Sequence, residues 1–435
     1  MDPITAGILG SILLVILLFL GMPIAFVMMF VGFLGISYLT SVHAALPVVA
    51  KTVYETAAYY PYTIIPLFIL MGSFAGGAGI TAKLYGSFDK WFRKLPGGLG
   101  IATIAACACF AAVSGSSVAA AAAMGTIAIP EMRRFKYDPA LAVGIVAAGG
   151  TLSFLIPPSL GFVVYGMLTE QSIGKLLVSG IIPGIVLSLA FIVVIVAKVK
   201  LDPTLAPATP GHVSWKERIR ALGGVWETMV VFVIVMGGIY LGFVNPTEAG
   251  AIGATALFII VISKMKLTWR SLSTALLEAT RISVLVLFLV AGANVFTYFL
   301  ALSTIPASVS AWMAALQVSK YVVLTIIIVI YLILGCFLDA ISMMVLTMPV
   351  IFPVVKALGF DPIWFGVVCV IMMEAGLITP PVGLNVYTLA GVAKDVPMAT
   401  IFRGAFPFLF AMLAVTIIIT IFPGIALYLP SMMGR

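Results

Sequence analysis

The chain is predicted to be an all-α polytopic membrane protein built from two inverted-topology repeats. Three observations carry that prediction: a composition too apolar for water, rare residues that recur at one fixed offset, and helix-breaking motifs set inside apolar runs. Of 435 residues, 63% are hydrophobic and 9% are charged, against roughly 25% charged in a soluble protein. A globule of this size has too small an interior to hide so much apolar surface, so the bilayer is the expected solvent. The widest polar gap, from Lys198 to Arg220, leaves no room for a separate soluble domain.

The formal net charge of +8 is spread over short loops between apolar runs. That distribution fits the positive-inside bias; it points to membrane lipids as the surroundings and argues against a nucleic-acid partner. Cys107, Cys109, Cys336 and Cys369 all lie in apolar runs and read as small buried hydrophobes. His43 and His212 stand alone in polar loops, which argues against a metal site built on clustered histidines. Asp2, with no basic residue before the first apolar run, marks a retained span rather than a cleaved signal peptide.

Self-comparison gives one recurring offset, 223 residues. It relates Pro23 to Pro246, Pro130 to Pro353, Asp138-Pro139 to Asp361-Pro362, and Pro157-Pro158 to Pro380-Pro381. Repeats at a fixed spacing signal a duplicated architecture. The boundary falls near Lys200–Ser214, giving a first repeat over 1–212 and a second over 213–435.

In the first half, apolar runs at 5–20, 24–41, 62–79, 139–168 and 176–197 read as spans, and 98–130 is interrupted by Ser114-Gly115-Ser116-Ser117. The second half offers 226–243, 249–263, 282–301, 362–392 and 404–428, with an interrupted run at 321–355. Lys83, Lys90, Arg93 and Lys94 precede the first interrupted run, and Arg133, Arg134 and Lys136 follow it. Basic flanks on both sides place both ends in the cytoplasm, so this run is expected to enter and leave on one side as a re-entrant hairpin. Its counterpart has sparse flanks (Lys320, then Lys356 and Asp361) and is expected to open to the other side. With 198–220, 264–281 and 394–403 cytoplasmic, 18 of the 23 Lys and Arg fall inside, and Lys51, Lys175, Lys320, Lys356 and Arg435 fall outside. Each repeat then has five spans, one discontinuous, plus a hairpin: near 98–132 with a broken helix near 139–168, and near 321–357 with one near 362–393. An odd number of crossings inverts the second copy and leaves both termini periplasmic, an arrangement typical of secondary transporters.

Four segments break helical rules inside the apolar runs. Ser114–Ser117 lets the chain reverse, and its freed carbonyls and hydroxyls are hard oxygens suited to sodium; the alternative is a small-residue packing face. Pro157-Pro158 removes two backbone donors, so 139–168 should be two half-helices around an unwound joint, whose helix ends attract an anion and whose carbonyls attract a cation; the alternative is a simple kink. Asp339, in Phe337-Leu338-Asp339-Ala340-Ile341-Ser342, is an acidic group inside the second hairpin and stands either as a sodium ligand or as a helix cap. Glu374 through Asn385 is the mate of the second segment, with Thr379 and Asn385 at the joint and Glu374 as a proton or ion site or a solvated cavity residue.

Weaker signals are a surface pair of Glu278 with Arg281, a capping box Ser214…Glu217 opening an amphipathic helix over Lys216–Trp226, and an interfacial helix over 43–61 ending in Tyr59, Tyr60 and Tyr62. There is no Walker A loop and no Ser/His/Asp or Cys/His set, so the chain is not expected to be an enzyme or to use a cofactor. Energy must come from an ion gradient or a partner.

The set Ser114-Gly115-Ser116-Ser117, Gly150 through Ser159, Tyr165-Gly166 with Ser172-Ile173-Gly174, Gly180-Ile181-Ile182-Pro183-Gly184, Phe337-Leu338-Asp339 and Gly376 through Asn385 resembles the large membrane subunit of TRAP (tripartite ATP-independent periplasmic) transporters, of the ion transporter superfamily. The resemblance covers essentially the whole chain. It implies secondary active, sodium-coupled import of a small organic acid (a C4-dicarboxylate, sialic acid or related carboxylate) across the bacterial or archaeal inner membrane. The implied mechanism is an elevator, with hairpins and broken helices moving against a scaffold. One sodium ion is implied at Ser114, Gly115, Ser116, Ser117, Gly150, Thr151 and Ser153, and a second at Asp339, Ser342, Gly376 and Thr379. Substrate is implied at Ser116, Pro157, Pro158, Ser159, Pro380, Pro381 and Asn385. The implied partners are an extracytoplasmic substrate-binding protein and a small four-helix membrane subunit on a separate chain. A stand-alone sodium/dicarboxylate or citrate symporter is the nearest alternative, and an ion channel the next.

Overall fold

The computed structural model describes residues 2–77, 79–207, 213–264, 268–315 and 318–433; His212, Lys266 and Arg435 lie outside them. Every regular element among these residues is helical. The first half runs α1 (Pro3–Phe19), α2 (Ile24–Leu39), α3 (Val42–Ala58), α4 (Ile64–Gly77), α5 (Ile80–Phe92), α6 (Gly98–Ser114), α7 (Ser117–Arg134), α8 (Pro139–Leu155), α9 (Leu160–Thr169), α10 (Ile173–Ser179) and α11 (Ile181–Leu201). The second runs α12 (Trp215–Ala221), α13 (Trp226–Tyr240), α14 (Pro246–Ser263), α15 (Trp269–Leu302), α16 (Ile305–Ala315), α17 (Lys320–Gly335), α18 (Ala340–Ala357), α19 (Pro362–Gly376), α20 (Leu384–Val392), α21 (Met398–Ile421) and α22 (Gly424–Met432). Among the described residues, six helices are long and apolar enough to cross a membrane, or eight if each of two bent pairs is one span.

The rare residues at the 223-residue offset have a local job. Asp138 and Asp361 cap α8 and α19, accepting from Leu141 N at 2.8 Å and from Ile363 N and Trp364 N at 2.8 and 3.0 Å. Pro139 and Pro362 follow at the first helical position, where a missing N–H costs nothing. Ser214 and Glu217 close the expected capping box, but the helix it opens, α12, stops at Ala221 and the chain bends by 50° into α13.

Elsewhere the apolar runs understate the helices. The span expected at 282–301 is the second part of α15, which is 34 residues long. Its first turns carry Arg270, Ser271, Thr274 and Glu278, which lower the hydropathy while Ala275 and Ala279 still pack inward. Glu278 and Arg281 are not an ion pair: Glu278 instead accepts from Ser73 Oγ at 3.4 Å, across to α4. The run at 176–197 divides at Gly180 into α10 and α11, and 404–428 divides at Phe422-Pro423 into α21 and α22.

The helices pack in two groups. In one, α15 lies along α2 and α4, and α14 along α4. In the other, α8 is wrapped by α6, α7, α11 and α21, and α19 by α17, α18 and α21. The wrapping is complete: every residue from Leu141 to Leu155 and from Trp364 to Ile378 is buried. Glu227, at the start of α13, is buried between Lys83 of α5 and Lys264 at the end of α14.

Candidate functional site

Two helical hairpins and two interrupted helices converge in the second group. The first hairpin turns at Gly115, whose φ of +64° is a left-handed helix end open to glycine at little cost. Ser116 then caps α7, accepting from Ala119 N at 3.4 Å, and Ser114 Oγ donates to Ser116 O at 3.4 Å. The turn is pressed against the first helix break: a Cβ on Gly115 would sit 3.2 Å from Pro158 O, and one on Gly150 would sit 3.0 Å from Ser117 O. Ser114–Ser117 and Gly150 are therefore contiguous. Thr151 Oγ1 donates to Ala148 O at 2.6 Å within its own helix, while Ser153 Oγ is buried with no partner.

The first break, residues 156–159, bends the axis by 43° between α8 and α9. Pro157-Pro158 is cis and buried. Ser159 holds the joint, donating to Phe154 O and accepting from Phe162 N at 3.4 Å as the cap of α9. Its hydroxyl is committed on both sides.

The second hairpin turns at Asp339. Of the two roles open to it, the geometry displays the cap: its Oδ1 accepts from Ile341 N at 3.1 Å and from Ser342 N at 3.0 Å, opening α18. Gly376, the last residue of α19, meets Gly335 of α17 backbone to backbone, with space for no side chain on either. Thr379 Oγ1 donates to Ala375 O at 2.7 Å. The second break spans 377–383 and exposes Pro380 and Pro381. Asn385 N closes it onto Leu377 O at 3.1 Å, yet both polar atoms of the Asn385 side chain are buried without a partner.

The two turns share one cavity of about 860 Å³. Ser114–Ala119 and Asp339–Ile341 form one wall with Glu374, and Ser73 of α4 with Arg270, Thr274 and Glu278 of α15 form the other. Of the expected substrate contacts, Ser116 alone lines it; Pro157, Pro158, Ser159, Pro380, Pro381 and Asn385 do not. A second cavity, of about 1280 Å³, is lined by Tyr54, Tyr59, Tyr60, Tyr62, Glu170 and Asn294 among others.

Two features escaped the sequence. One is the polar stripe of Arg270, Thr274 and Glu278, legible in principle from its four-residue spacing. The other is a hydrogen bond between the halves, Ser117 Oγ donating to Glu374 Oε1 at 2.6 Å. Its partners are 257 residues apart, and no local signal announces it.

Residues 11–425 match the family model described as Tripartite ATP-independent periplasmic transporter, DctM component. The chain is 37% identical over 388 residues to the C4-dicarboxylate TRAP transporter large permease protein DctM of Pseudomonas aeruginosa, covering 88% of this chain and 90% of that one. It is 31% identical to the sialic acid TRAP transporter large permease protein SiaM of Vibrio cholerae, covering 96% of each. The isethionate TRAP transporter permease protein DctMQ of Oleidesulfovibrio alaskensis is 35% identical over 94% of this chain and 64% of its own length. Among solved structures, the YdaH transporter of Alcanivorax borkumensis superposes with a TM-score of 0.67 at 14% identity, over 89% of this chain and 90% of that one.

Proposed function

The chain belongs to the DctM family of tripartite ATP-independent periplasmic transporters, and on that premise we propose that it is the sodium-coupled membrane carrier of a small organic acid. It is a transporter permease and not an enzyme. As one component of a tripartite system it works with a binding protein and a small membrane subunit, here taken as a separate four-helix chain. The binding protein delivers a carboxylate (C4-dicarboxylate, sialic acid or a relative) to the outer face of the inner membrane. The two halves are inverted repeats, and the group holding both hairpins and both interrupted helices moves against the α2, α4, α14 and α15 group as an elevator.

One observation carries this reading. The two hairpin turns face one cavity, and the elements behind it hold buried polar atoms with no protein partner: Ser153 Oγ, Glu374 Oε2 and the Asn385 side chain. An unpaired buried polar group costs about 1–3 kcal/mol, so several together mark places where a ligand supplies the missing bonds. Hydroxyl and carbonyl oxygens at helix breaks suit sodium, and helix N-termini opened by Ser116 and Asp339 border space for a carboxylate.

The test is uptake into liposomes of a small carboxylate panel, with neighbouring-gene binding proteins added and a sodium gradient imposed. Ser116→Ala and Asp339→Ala should each abolish sodium-driven uptake while the protein still inserts. Near wild-type, sodium-dependent uptake in both variants overturns the site assignment, and uptake without any binding protein favours a stand-alone symporter. Cysteine labelling that put positions 133 and 356 on the same face would overturn the inverted repeat.

A further inference from the structure

Glu374 is 1% exposed and lies at the end of α19, just before the second break. No Lys or Arg side chain comes within 4 Å of it among the described residues. A carboxylate in a low-dielectric interior costs several kcal/mol unless a cation accompanies it. Ser117 satisfies Oε1; Oε2 has nothing.

Hydroxyl oxygens lie on the helices packed beside it. Ser117, at the start of α7, faces α8 at Gly150. Ser153 stands one turn further along α8, with its hydroxyl buried and unpartnered. Three hard oxygens (Glu374 Oε2, Ser117 Oγ and Ser153 Oγ) thus come from three helices, and Glu374 and Ser117 both reach the shared cavity. Such donors suit a small hard cation and offer little to an anion.

We propose that Glu374 is the anionic ligand of the sodium ion held by the first hairpin, so that one ion ties the hairpin of the first half to the interrupted helix of the second. This rests on the sodium-coupled reading and adds to it a charged ligand from the opposite half of the chain. The consequence is specific: sodium neutralises the one carboxylate that the fold buries there, and ion binding pulls α7, α8 and α19 together.

The test is thermal unfolding of the purified full chain in detergent, titrated with NaCl at ionic strength held constant by choline chloride. Sodium should raise the wild-type Tm with a definite half-saturation. In Glu374→Gln that half-saturation should rise at least about tenfold, a loss of roughly 1.4 kcal/mol of ion affinity, and Glu374→Asp should recover part of it. A wild-type half-saturation in Glu374→Gln overturns the proposal and leaves sodium coupling standing. Absence of any sodium-specific Tm shift in the wild type overturns the sodium reading itself. Should Glu374→Gln fail to fold, Ser153→Ala takes its place: a weakened sodium response supports the site, and an unchanged one overturns it.

Discussion

The two interrupted helices start alike and break differently. Both open on an Asp cap followed by Pro, both are fully buried from their third residue to the break, and both break at a double proline. The first joint, 156–159, is short and buried, and its one hydroxyl, on Ser159, is bonded on both sides of the gap. The second, 377–383, is longer, exposes Pro380 and Pro381, needs a left-handed Gly383 at φ +54°, and leaves the Asn385 side chain with no partner. One joint is a packed corner that the protein satisfies by itself. The other is a more open loop followed by a buried side-chain amide with no hydrogen-bond partner. The same sequence device gives a closed, self-satisfied corner in one half and a longer, partly exposed one in the other.

The largest effect should come from the place where the second element has no slack. In Gly376→Ala the new Cβ would lie 2.5 Å from the Cα and 2.9 Å from the carbonyl carbon of Gly335, backbone atoms that cannot turn aside. Overpacking of this kind costs about 1–3 kcal/mol, so the Tm in detergent should fall by several degrees. Ser153→Ala at the matching position of the first half removes only an unpaired hydroxyl and should leave the sodium-free Tm nearly unchanged. Equal losses in the two variants would erase the distinction between the halves.

Next in size is Ser159→Ala. It removes the cap of α9 and the donor to Phe154 O, for a combined loss of about 1–2 kcal/mol. Thr379→Ala in the other joint removes a bond within one helical turn, to Ala375 O, and should cost a few tenths of a kcal/mol at most. If Thr379→Ala proved the more damaging in thermal unfolding, the open joint would be the one held by its own side chains.

Much of this was legible in the sequence. The family resemblance is borne out by the DctM match over residues 11–425. The interrupted runs at 98–130 and 321–355 are helical hairpins that turn at Gly115 and near Asp339, and the double prolines do end helices. These were readable because glycine and proline act locally, through φ and a missing N–H. The start of α15 was not readable, since Arg270, Ser271 and Glu278 lower its hydropathy while its backbone stays helical. Nor was the Ser117–Glu374 bond, which exists only after two distant segments have packed. The substrate contacts expected at the prolines were placed by motif rather than by lining, and of that set the cavity is faced by Ser116.

Asn385 offers a test in which stability and transport should part. Its side chain is buried with both polar atoms unpaired, so Asn385→Leu removes a standing penalty and should leave the sodium-free stability unchanged or raise it by up to about 1 kcal/mol, read as an equal or higher Tm. Uptake in the liposome assay should nevertheless be lost if the group serves a ligand. Retained uptake would make the second joint as self-contained as the first.

The smallest effect links the two halves outside the apolar spans. Arg133 Nη2, near the end of α7, approaches Asp395 Oδ1, in the loop after α20, at 2.9 Å, close enough for an ion pair though not aligned as a hydrogen bond. The Arg133 guanidinium holds the Asp395 carboxyl below its ordinary value. A carboxylate depressed in the folded state adds stability above its unfolded value, about 3.9, and that share disappears as pH falls from there through the folded value. The Tm gap between wild type and Asp395→Asn should therefore be small but steady at and above about pH 5, and should shrink as pH falls below about 3.9. Asp395 is exposed, so salt should shrink the same gap at neutral pH. A gap that widened on acidification would mean that Arg133 does not hold the carboxylate, and the tie between the end of the first hairpin's second arm and the chain beyond the second joint would have to be sought in the apolar contact of α7 with α20.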